Sequence, residues 1–369
     1  MLNLSECSSC AACANVCTRN AITMQLNSEG FYRPVIDEDK CVQCGLCDKV
    51  CPSVNIVDNP NIAKKEPQTL AAYAKNEKIR LSSSSGGVFS VLAEQILDSG
   101  GVVVGVAQLS KSHFGHIVVE NKADLEKLRG SKYVLADVGL VYRDVRSYLK
   151  AGQKVLFSGT PCQVAALYAV LGKTATYANL FTVDVVCHGS PSVKVFEKYI
   201  AEIEKDKSAF VLSTSFRDKR KGWGLFSMTS SLNTISGECF QISETVEKNK
   251  YLQVFLNNLC LNAGCSSCHY AKLPRIADIT LGDYWGGNIH HPNMYDDKGT
   301  SVVLINTDNG KKLLETIKEK INYCESDIHI AASCQRNITR PSIAHRKRKA
   351  FLKDLDYMNF SDLYTIVYD

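Results

Sequence analysis

The arrangement of the cysteines near the N-terminus constrains this chain more than any other sequence feature. The spacing C-x2-C-x2-C-x3-C runs from Cys7 to Cys17 and returns 34 residues later from Cys41 to Cys51. A short apolar stretch follows each copy, at residues 21–24 and 54–57. A duplication of this kind predicts two similar half-domains, neither of which is complete alone.

We predict that these cysteines hold two [4Fe–4S] clusters, because their spacing is that of the bacterial ferredoxins. In such a run, three cysteines on one loop bind one cluster and the fourth turns away to bind the other. The predicted ligands of one cluster are Cys7, Cys10, Cys13 and Cys51, and those of the other are Cys17, Cys41, Cys44 and Cys47. A zinc site built from two cysteine pairs would leave the rest of each run unexplained. Thr18 stands where the first run usually carries proline, a departure that removes no ligand.

The cysteine count indicates a class of function, and the charge argues against another. The chain has 16 cysteines, and its first residues show neither the cationic nor the apolar region of a secretory signal. This combination predicts metal or redox chemistry in a reducing cytoplasm. The longest apolar run, at residues 102–106, is too short for a membrane span. Residues 1–58 carry a net charge of −3, so the total of +5 leaves +8 on the rest, too dilute for nucleic-acid binding.

One basic segment stands out near the C-terminus. Its members are Arg340, His345, Arg346, Lys347, Arg348, Lys349 and Lys353. Such a run is either a solvated helix face or a docking site for an acidic redox partner or a cofactor phosphate.

After a polar linker at residues 59–69, patterns typical of strands and helices alternate. Strands are predicted at 102–109, 154–159 and 180–187, and helices at 88–97, 138–150, 163–171 and 193–205. The later part is richer in strands, at 211–216, 225–231, 239–242, 279–281 and 301–306, with helices at 245–258 and 311–320. We therefore predict an α+β protein, in which a dicluster ferredoxin domain (1–58) precedes an α/β half (70–195) and an α+β half (196–369) of a second domain.

Four of the other eight cysteines lie in contexts that suggest a third site. Cys162 and Cys187 each end a predicted strand, and the carboxyl ends of strands in an α/β sheet face the ligand crevice. With the pair Cys265 and Cys268 they would complete a four-cysteine site. The alternatives are scattered buried thiols and a [2Fe–2S] site, because Cys260 precedes Cys265 at the plant-type spacing. Three cysteines without metal-like neighbours in the sequence are expected in the core: Cys239, Cys324 and Cys334.

Six stretches, in order, resemble the family of coenzyme F420 hydrogenase/dehydrogenase β subunits over about residues 70–290. They are SSGGVFS (84–90), GSKYV (130–134), GTPCQ (159–163), DVVCHGSPS (184–192), FRDKRKGW (216–223) and CSSC (265–268) followed by RIADITLGDYWG (275–286). That family includes formate dehydrogenase subunits and the plant 7-hydroxymethyl chlorophyll a reductase. The resemblance implies a flavin-binding second domain with FAD beside a [4Fe–4S] cluster. It also implies that Cys162, Cys187, Cys265 and Cys268 hold that cluster, which leaves Cys260 outside the site.

The flavin contacts are predicted at loops, because neither the Rossmann nor the P-loop fingerprint occurs in the sequence. Residues 82–87 are four serines and two glycines that lead into a predicted helix. Small residues at a helix N-terminus suit a pyrophosphate, although such a stretch is also an ordinary helix cap. With the neighbouring motifs of the resemblance, the candidate FAD contacts are Ser85, Gly86, Gly87, Lys132, Tyr133, Gly159 and Thr160. Lys132 is either a partner of phosphate or reduced flavin, or a solvated lysine.

The expected function is that of a cytoplasmic iron–sulfur flavoprotein oxidoreductase. Clusters move single electrons and FAD collects two, so a ferredoxin or similar carrier would feed the acidic domain, and FAD would reduce an organic acceptor or coenzyme F420. One alternative is a non-autonomous β subunit that works only with other oxidoreductase subunits of a hydrogenase or dehydrogenase complex. Another is a non-catalytic partner protein that retains its clusters for stability.

Overall fold

The computed structural model describes residues 6–59, 61–62, 66–176 and 178–368. Its strands are β1 (Ile22–Leu26), β2 (Tyr32–Ile36), β3 (Gln68–Ala74), β4 (Val102–Gln108), β5 (Phe114–Val119), β6 (Val155–Gly159), β7 (Leu180–Val185), β8 (Ala209–Asp218), β9 (Ser227–Thr234), β10 (Cys239–Thr245), β11 (Ile279–Asp283), β12 (Ser301–Ile305) and β13 (Ile321–Ser326). Its helices are α1 (Ala12–Val16), α2 (Leu46–Lys49), α3 (Glu77–Ser82), α4 (Val88–Asp98), α5 (Val141–Lys150), α6 (Pro161–Leu171), α7 (Val193–Lys207), α8 (Lys250–Leu256), α9 (Gly287–His290), α10 (Asp308–Glu315), α11 (Ile328–Cys334), α12 (Arg348–Lys353) and α13 (Phe360–Tyr368). Among these residues, no helix combines the length and the apolar composition needed to cross a membrane.

The cysteine-rich N-terminal region is a two-stranded antiparallel sheet with two short helices. β1 pairs with β2, from Ile22 opposite Ile36 to Leu26 opposite Tyr32, and α1 contacts α2. Each cysteine run supplies one short helix, but β1 follows the first run whereas β2 precedes the second. The duplication in the sequence is therefore visible in the two helices and not in the order of the strands.

The larger domain is built on an eight-stranded sheet in the order β13-β3-β12-β11-β7-β6-β4-β5. Its central strands β4, β6, β7 and β11 are parallel to one another, while β5 and β12 run antiparallel to their neighbours. The carboxyl ends of the parallel strands meet at one edge, where loops are free to bind a ligand.

Helices cover both faces of this sheet, because successive side chains of a strand point to opposite faces. Val104 and Phe157 pack against α5 and α6 on one face. Val103 and Leu156, their neighbours in sequence, pack against α4 and α10 on the other. The core of the larger domain therefore lies in two layers, one on each side of the sheet.

A second sheet, in the order β10-β9-β8, lies with α7, α8, α12 and α13 around a separate apolar core. Phe31 of the N-terminal region is fully buried in that core. On its other side the N-terminal region contributes Cys10, Ala11 and Val50 to the core beneath α5 and α6. The N-terminal region is thus packed against the larger domain at two places.

The predicted elements agree with the structure better at their centres than at their ends. The helix predicted at 245–258 is shorter, because it begins at Lys250 after the Asn249 cap. Five strands have no counterpart among the predicted strands: β1, β2, β3, β5 and β13. The halves 70–195 and 196–369 share the eight-stranded sheet, since β11, β12 and β13 come from the second half.

The predicted linker at 59–69 lies partly outside the described residues. At its start, Asn59 is buried and its Nδ2 donates to the Tyr168 hydroxyl over 3.1 Å and to the Ile276 carbonyl over 3.0 Å. This end of the segment is therefore anchored to the larger domain.

Candidate iron–sulfur and flavin site

Four cysteines from the two runs surround one cavity, which we call the inner site. They are Cys7, Cys10, Cys13 and Cys51, which line the same cavity. Burial raises the pKa of Cys10 to about 12. Burial also raises the pKa of Cys13, and the neighbouring thiolates of Cys10, Cys7 and Cys51 add to that rise. The thiols predicted to share one cluster therefore face one another in a space shielded from water.

We call the other four cysteines of the two runs, which are the predicted ligands of the second cluster, the outer site: Cys17, Cys41, Cys44 and Cys47. Cys44 is exposed, and the other three are half-buried. Cys17 and Cys47 pack against the same small apolar cluster, which includes Ile22. Cys17, the last cysteine of the first run, thus lies beside the second run.

The two cysteine loops share an unusual backbone conformation. Ser9 and Ala11 have φ values of +61° and +56°, and the corresponding Gln43 and Gly45 have +54° and +70°. Residues other than glycine rarely adopt this region, so the surroundings must maintain it. Alternating left-handed residues turn successive N–H groups into an anion-binding concavity of the kind found at iron–sulfur sites. The backbone of both loops therefore fits an anionic cluster.

The cysteine groups of the described residues do not have the geometry of a single-ion site. Within the part of the chain that the structure describes, no three or more His, Cys, Asp or Glu side chains converge as they would around one metal ion. In a [4Fe–4S] cube each thiolate binds a different iron atom, so the four sulfurs stand further apart than the ligands of one ion.

A third group of cysteines, the sheet-edge site, lies at the carboxyl ends of β6 and β7: Cys162, Cys187, Cys265 and Cys268. Cys162 is the second residue of α6, directly after β6, and Cys187 lies two residues beyond β7. The N–H of Ser190 donates to Cys265 Sγ over 3.3 Å. Burial raises the pKa of Cys187 to about 12, and the thiolates of Cys265 and Cys268 add to the rise. Burial likewise raises the pKa of Cys162, followed by the effects of Cys268, Cys187 and Cys265.

The remaining cysteines have other surroundings. Cys260 is fully buried in the apolar core around α8, and burial raises its pKa to about 12 with no contribution from the sheet-edge thiols. Cys324 and Cys334 are half-buried, and Cys324 Sγ lies 3.4 Å from Nδ1 of His291. The expectation that Cys239 lies in the core is wrong, because Cys239 is exposed on β10, at the edge of its sheet.

The inner site adjoins the sheet-edge site through a buried tyrosine. The Tyr142 hydroxyl lies 3.0 Å from the carbonyl of Cys10 and 3.1 Å from the carbonyl of Gln163, the residue after Cys162. Burial raises the pKa of Tyr142, and the thiolates of Cys10 and Cys162 add to the rise. One side chain is therefore close to a cysteine of each site.

Two further contacts join the same sites. The hydroxyl of Tyr270, two residues after Cys268, donates to the carbonyl of Pro52 over 3.1 Å. Asn262 Nδ2 donates to the carbonyl of Cys7 over 3.0 Å. Sequence reasoning missed Tyr142, Tyr270 and Asn262. Only the closeness of Asn262 and Tyr270 to the CxxC pair could have drawn attention to them.

The serine–glycine stretch at residues 82–87 lies at the start of α4, against a second predicted motif. Gly87 precedes α4 with a φ of +84°, and no side chain caps the helix, so its first N–H groups are suited to an anion. A Cβ on Gly86 would lie 2.4 Å from the carbonyl oxygen of Ala72. Ser84 Oγ accepts a hydrogen bond from the N–H of Ser131 over 2.7 Å. The structure thus brings the predicted loops 84–90 and 130–134 together.

Lys132 and Tyr133 lie in this region with different orientations. Lys132 Nζ donates to the carbonyls of Lys127 and Arg129 over 3.2 and 2.7 Å, and burial lowers its pKa to about 7. Its ammonium group therefore contacts its own loop. The Tyr133 hydroxyl accepts a hydrogen bond from Arg217 over 3.2 Å.

Gly159 and Thr160 lie elsewhere on the sheet edge, next to Cys162. Thr160 Oγ1 is 3.2 Å from Cys162 Sγ. β6 is four strands from β3, which is roughly 19 Å at about 4.8 Å per strand. These two candidates therefore belong with the sheet-edge site and not with the serine–glycine stretch.

Two cations of the motif 216–223, to which sequence reasoning gave no role, hold this region together. Arg217 forms an ion pair with Asp283 over 2.8 Å. Lys219 Nζ donates to three backbone carbonyls at 2.6–2.9 Å, one of them that of Ser85. Burial and then the nearby guanidinium groups lower the pKa of Lys219 to about 7. Their place in the family-like motif 216–223 is the sequence feature that could have drawn attention to them.

The basic segment near the C-terminus divides into buried and exposed members. Arg348 is buried, donates to the carbonyl of Leu261 over 2.6 Å and pairs with Glu29 of the N-terminal region over 3.0 Å. Lys347 donates to two carbonyls of α13. The exposed members are Arg340, Arg346, Lys349 and Lys353. Arg348 and Lys347 of this segment therefore stabilise the folded structure through these contacts.

Three family models match successive parts of the chain. The model described as 4Fe-4S dicluster domain matches residues 6–55. Those described as coenzyme F420 hydrogenase/dehydrogenase beta subunit, N-term and C terminus, match residues 69–141 and 152–330. The resemblance found in the sequence motifs is thereby confirmed.

Two curated proteins and one solved structure are similar to the chain. One subunit of the F(420)H(2) dehydrogenase of Methanosarcina mazei is 22% identical over 330 residues, which cover 86% of this chain and 84% of that protein. The coenzyme F420-dependent sulfite reductase of Methanocaldococcus jannaschii is 26% identical over 335 residues, 86% of this chain but only 47% of that protein. A chain of the F420-reducing [NiFe] hydrogenase complex of Methanosarcina barkeri aligns with a TM-score of 0.47 and 18% identity, over 85% of this chain and 94% of that one.

Proposed function

The chain belongs to the family of coenzyme F420 hydrogenase/dehydrogenase β subunits and carries a [4Fe–4S] dicluster domain, and from this premise we propose that it is an iron–sulfur flavoprotein oxidoreductase. It takes electrons from a ferredoxin-type carrier, passes them through three [4Fe–4S] clusters to FAD, and delivers them to an organic acceptor or coenzyme F420. The observation that carries the proposal is the succession of three adjoining four-cysteine groups, the outer, inner and sheet-edge sites.

The surroundings of the three sites support an order of transfer. The outer site contains the exposed Cys44 and is accessible to a carrier. The inner site lies between the other two, since Cys13 belongs to the apolar cluster against which Cys17 packs, while Cys10 shares Tyr142 with Cys162. Electrons therefore move from the outer to the inner and then to the sheet-edge site.

FAD supplies the step between single electrons and electron pairs. The uncapped start of α4 supports a place for its phosphates there, with Ser85, Gly86 and Gly87 in contact and Lys132 and Tyr133 close by. Gly159 and Thr160, next to Cys162, would hold the flavin at the sheet-edge site.

Metal and flavin analysis of two cysteine variants tests the proposal. Protein purified anaerobically should contain about twelve iron atoms and one FAD per chain, since each [4Fe–4S] cluster holds four. Cys268→Ala should lose about four of these iron atoms. It should also slow flavin reduction by a ferredoxin-type donor by orders of magnitude, because the relay next to FAD is missing.

Cys260→Ala is the matched control, because Cys260 is a buried cysteine close in sequence that belongs to the apolar core. It should keep the full iron content and normal flavin reduction. Unchanged iron and unchanged flavin reduction in Cys268→Ala would remove the sheet-edge cluster from the proposal. Purified protein without any flavin would instead favour a non-catalytic, cluster-stabilised role.

The relatives favour one second candidate, a non-autonomous β subunit. One of them is named a dehydrogenase subunit, and this chain spans 47% of the length of the other. Such a subunit would bind clusters and flavin, yet would reduce an acceptor only in the presence of other oxidoreductase subunits. Turnover of coenzyme F420 by the isolated chain with reduced ferredoxin separates the two candidates.

A further inference from the structure

We infer that residues 262–270, which we call the junction segment, set the gap between the inner and sheet-edge sites, and that electrons cross between the two sites there. The inference rests on the proposed function, because it takes both sites to hold [4Fe–4S] clusters. It adds the residues that position one cluster against the other. They are Asn262, Gly264 and Tyr270 of the junction segment, and Tyr142 of α5.

The junction segment belongs to the sheet-edge site, since it carries two of the four cysteines of that site, Cys265 and Cys268. The N–H of Cys265 donates to the carbonyl of Asn262 over 3.0 Å. The N–H of Asn262 donates in turn to the carbonyl of Ser190 over 2.8 Å, in the loop that follows Cys187. Contacts of the junction segment with other parts of the chain therefore fix the position of the sheet-edge cysteines.

Both ends of the junction segment are hydrogen-bonded to the inner site. Asn262 is buried, and its Nδ2 donates to the carbonyl of Cys7 over 3.0 Å. Tyr270 is also buried, and its hydroxyl donates over 3.1 Å to the carbonyl of Pro52, the residue after Cys51. Two cysteines of the inner site are thus tied to the junction segment through their own peptide or the next one.

Between these two hydrogen bonds, Gly264 lets the backbones of the two sites approach closely. Gly264 precedes Cys265, and Glu6 precedes Cys7. A Cβ on Gly264 would lie 2.8 Å from the carbonyl oxygen of Glu6, whereas ordinary van der Waals contact begins at 3.4 Å. The φ of Gly264 is not positive, so its own conformation does not call for glycine. The close approach to Glu6 is what leaves no room for a side chain.

Tyr142 joins the two sites at a different pair of cysteines. It is fully buried, and its hydroxyl lies between the carbonyl of Cys10 and the carbonyl of Gln163, next to Cys162. Cys162 and Cys268 both pack against the apolar core that includes Cys10. Three cysteines of each site therefore take part in these contacts, directly or through a neighbouring residue: Cys7, Cys10 and Cys51 of the inner site, and Cys162, Cys265 and Cys268 of the sheet-edge site.

A fixed gap matters because an electron crosses it by tunnelling, and the rate of tunnelling falls steeply with distance. In each step the inner cluster is oxidised by one electron and the sheet-edge cluster is reduced by one, with no bond or proton changing place. The electron comes from the ferredoxin-type carrier of the proposed function. The four named residues act as positioning residues, since they hold the clusters at one distance and do not themselves carry the electron.

Gly264→Ala in the full chain, loaded anaerobically with iron and sulfide, tests the inference. The added methyl group should push the peptide before Cys7 away from the peptide before Cys265 and so widen the gap. EPR of the fully reduced protein should then show a weaker magnetic interaction between the two clusters, since that interaction falls steeply with their separation. Flavin reduction by a ferredoxin-type donor should slow several-fold, while the reduction potentials of both clusters stay unchanged.

Two further variants assign the signal and control for the substitution. Cys268→Ala removes the sheet-edge cluster, so the magnetic interaction that it abolishes is the one between the inner and sheet-edge sites. Gly224→Ala adds the same methyl group at an exposed glycine, where the nearest atom, Oδ1 of Asp297, would lie at an ordinary contact distance of 3.5 Å. It should leave the interaction, the rate and the potentials unchanged.

Tyr142→Phe provides a second route, because it removes only the hydroxyl that lies between Cys10 and Gln163. It should weaken the magnetic interaction and slow flavin reduction, in the same direction as Gly264→Ala. A tyrosine with a purely structural role would lower the free energy of unfolding and leave both readings unchanged.

A wild-type magnetic interaction in Gly264→Ala overturns the inference. Slower flavin reduction that comes with a shifted potential also overturns it, since the driving force and not the distance has then changed. If Gly264→Ala fails to load both clusters, Tyr142→Phe decides by the same readings. A chain without a cluster at the sheet-edge site overturns that part of the proposed function and this inference together. Both clusters present with an unmoved interaction overturn only the inference.

Discussion

The two cysteine runs have the same spacing and the same loop conformation, but they differ in how far they are exposed to solvent. In the first run Cys10 and Cys13 are only 7% and 8% exposed. In the second run Cys44 is exposed, and large apolar side chains around that run are exposed as well, with Val42 at 61% and Ile56 at 51%. Identical cysteine spacing thus gives two loops of similar conformation, and their surroundings leave the first run buried and the second exposed.

The difference arises from the larger domain, in which one arginine donates several hydrogen bonds to the backbone of the first run. Arg143 at the start of α5 donates to the carbonyls of Ala14, Asn15 and Cys17 at 2.7–2.9 Å. In the second run the carbonyls of Asp48 and Lys49 accept from Asn55, a residue of the same half. A duplicated domain therefore becomes asymmetric when one of its halves is buried.

The largest difference between the two cysteine runs is expected when one cysteine is removed from each run and electron transfer is measured. Cys13→Ala should leave the outer site reducible by a ferredoxin-type donor, while flavin reduction slows by orders of magnitude, because no relay joins the outer site to the sheet edge. Cys47→Ala should instead abolish acceptance from the donor, with FAD still reducible by dithionite. Stopped-flow absorbance follows both steps. Wild-type flavin reduction in Cys13→Ala would contradict the interior role of the first run.

The next largest difference between the two runs is expected in the rate at which their cysteines are alkylated in the cluster-free protein. At pH 8 Cys44 should react with iodoacetamide much faster than Cys10, because Cys44 is exposed, while burial raises the pKa of Cys10 to about 12 and only the thiolate is nucleophilic. Mass spectrometry of timed samples gives the two rates. In denaturant the rates should become equal, and equal rates in the folded protein would show that the runs are equally accessible.

A smaller effect, on the free energy of unfolding, is expected from the hydrogen bonds that Arg143 donates to the first run. Arg143→Ala should lower the free energy of unfolding by about 2–3 kcal/mol, since it removes charged hydrogen bonds to three carbonyls. Lys49→Ala, an exposed substitution in the second run, should change it by less than about 0.5 kcal/mol. Urea denaturation measures both. Equal effects would mean that the larger domain does not favour the first run.

The smallest effect on stability should come from the exposed apolar residues of the second run. Val42→Ser should change the free energy of unfolding by less than about 0.5 kcal/mol, because the side chain is already in water. It should still raise the KM for a ferredoxin-type donor, if apolar contact holds that donor at the outer site. Steady-state kinetics with dithionite-reduced ferredoxin gives the KM, and an unchanged KM would place the donor elsewhere.

Much of the fold could be predicted, for reasons visible in particular elements. β4, β6 and β7 are short β-branched runs, and such runs are typical of buried parallel strands. The combination of a ferredoxin-like domain with a mixed α/β domain is confirmed by the structure and the family models. β3 and β5 could not be predicted, because their pairing with distant strands fixes them more than their own composition does.

Less of the candidate site than of the fold could be predicted from the sequence. Spacing and family motifs indicated twelve cysteines, and the structure places the cysteines of the inner site and of the sheet-edge site near one another. Lys132 was chosen as a phosphate partner, yet its ammonium group contacts carbonyls of its own loop. Tyr142 carried no recognisable pattern, since the carbonyl of Cys10 that it contacts lies 132 positions away in the chain.

The sequence by itself determined the iron–sulfur character of the two N-terminal cysteine runs, because cluster binding depends on the spacing of thiols along a short loop. It also determined the parallel strands whose ends carry Cys162 and Cys187, because hydrophobic pattern is a local property. Only the tertiary structure decided which of the two equal cysteine runs faces inward and which faces solvent. That choice depends on which surface of the small domain meets α5, α6 and the CxxC turn, and such contacts between residues more than 100 positions apart leave no periodicity or spacing in the sequence.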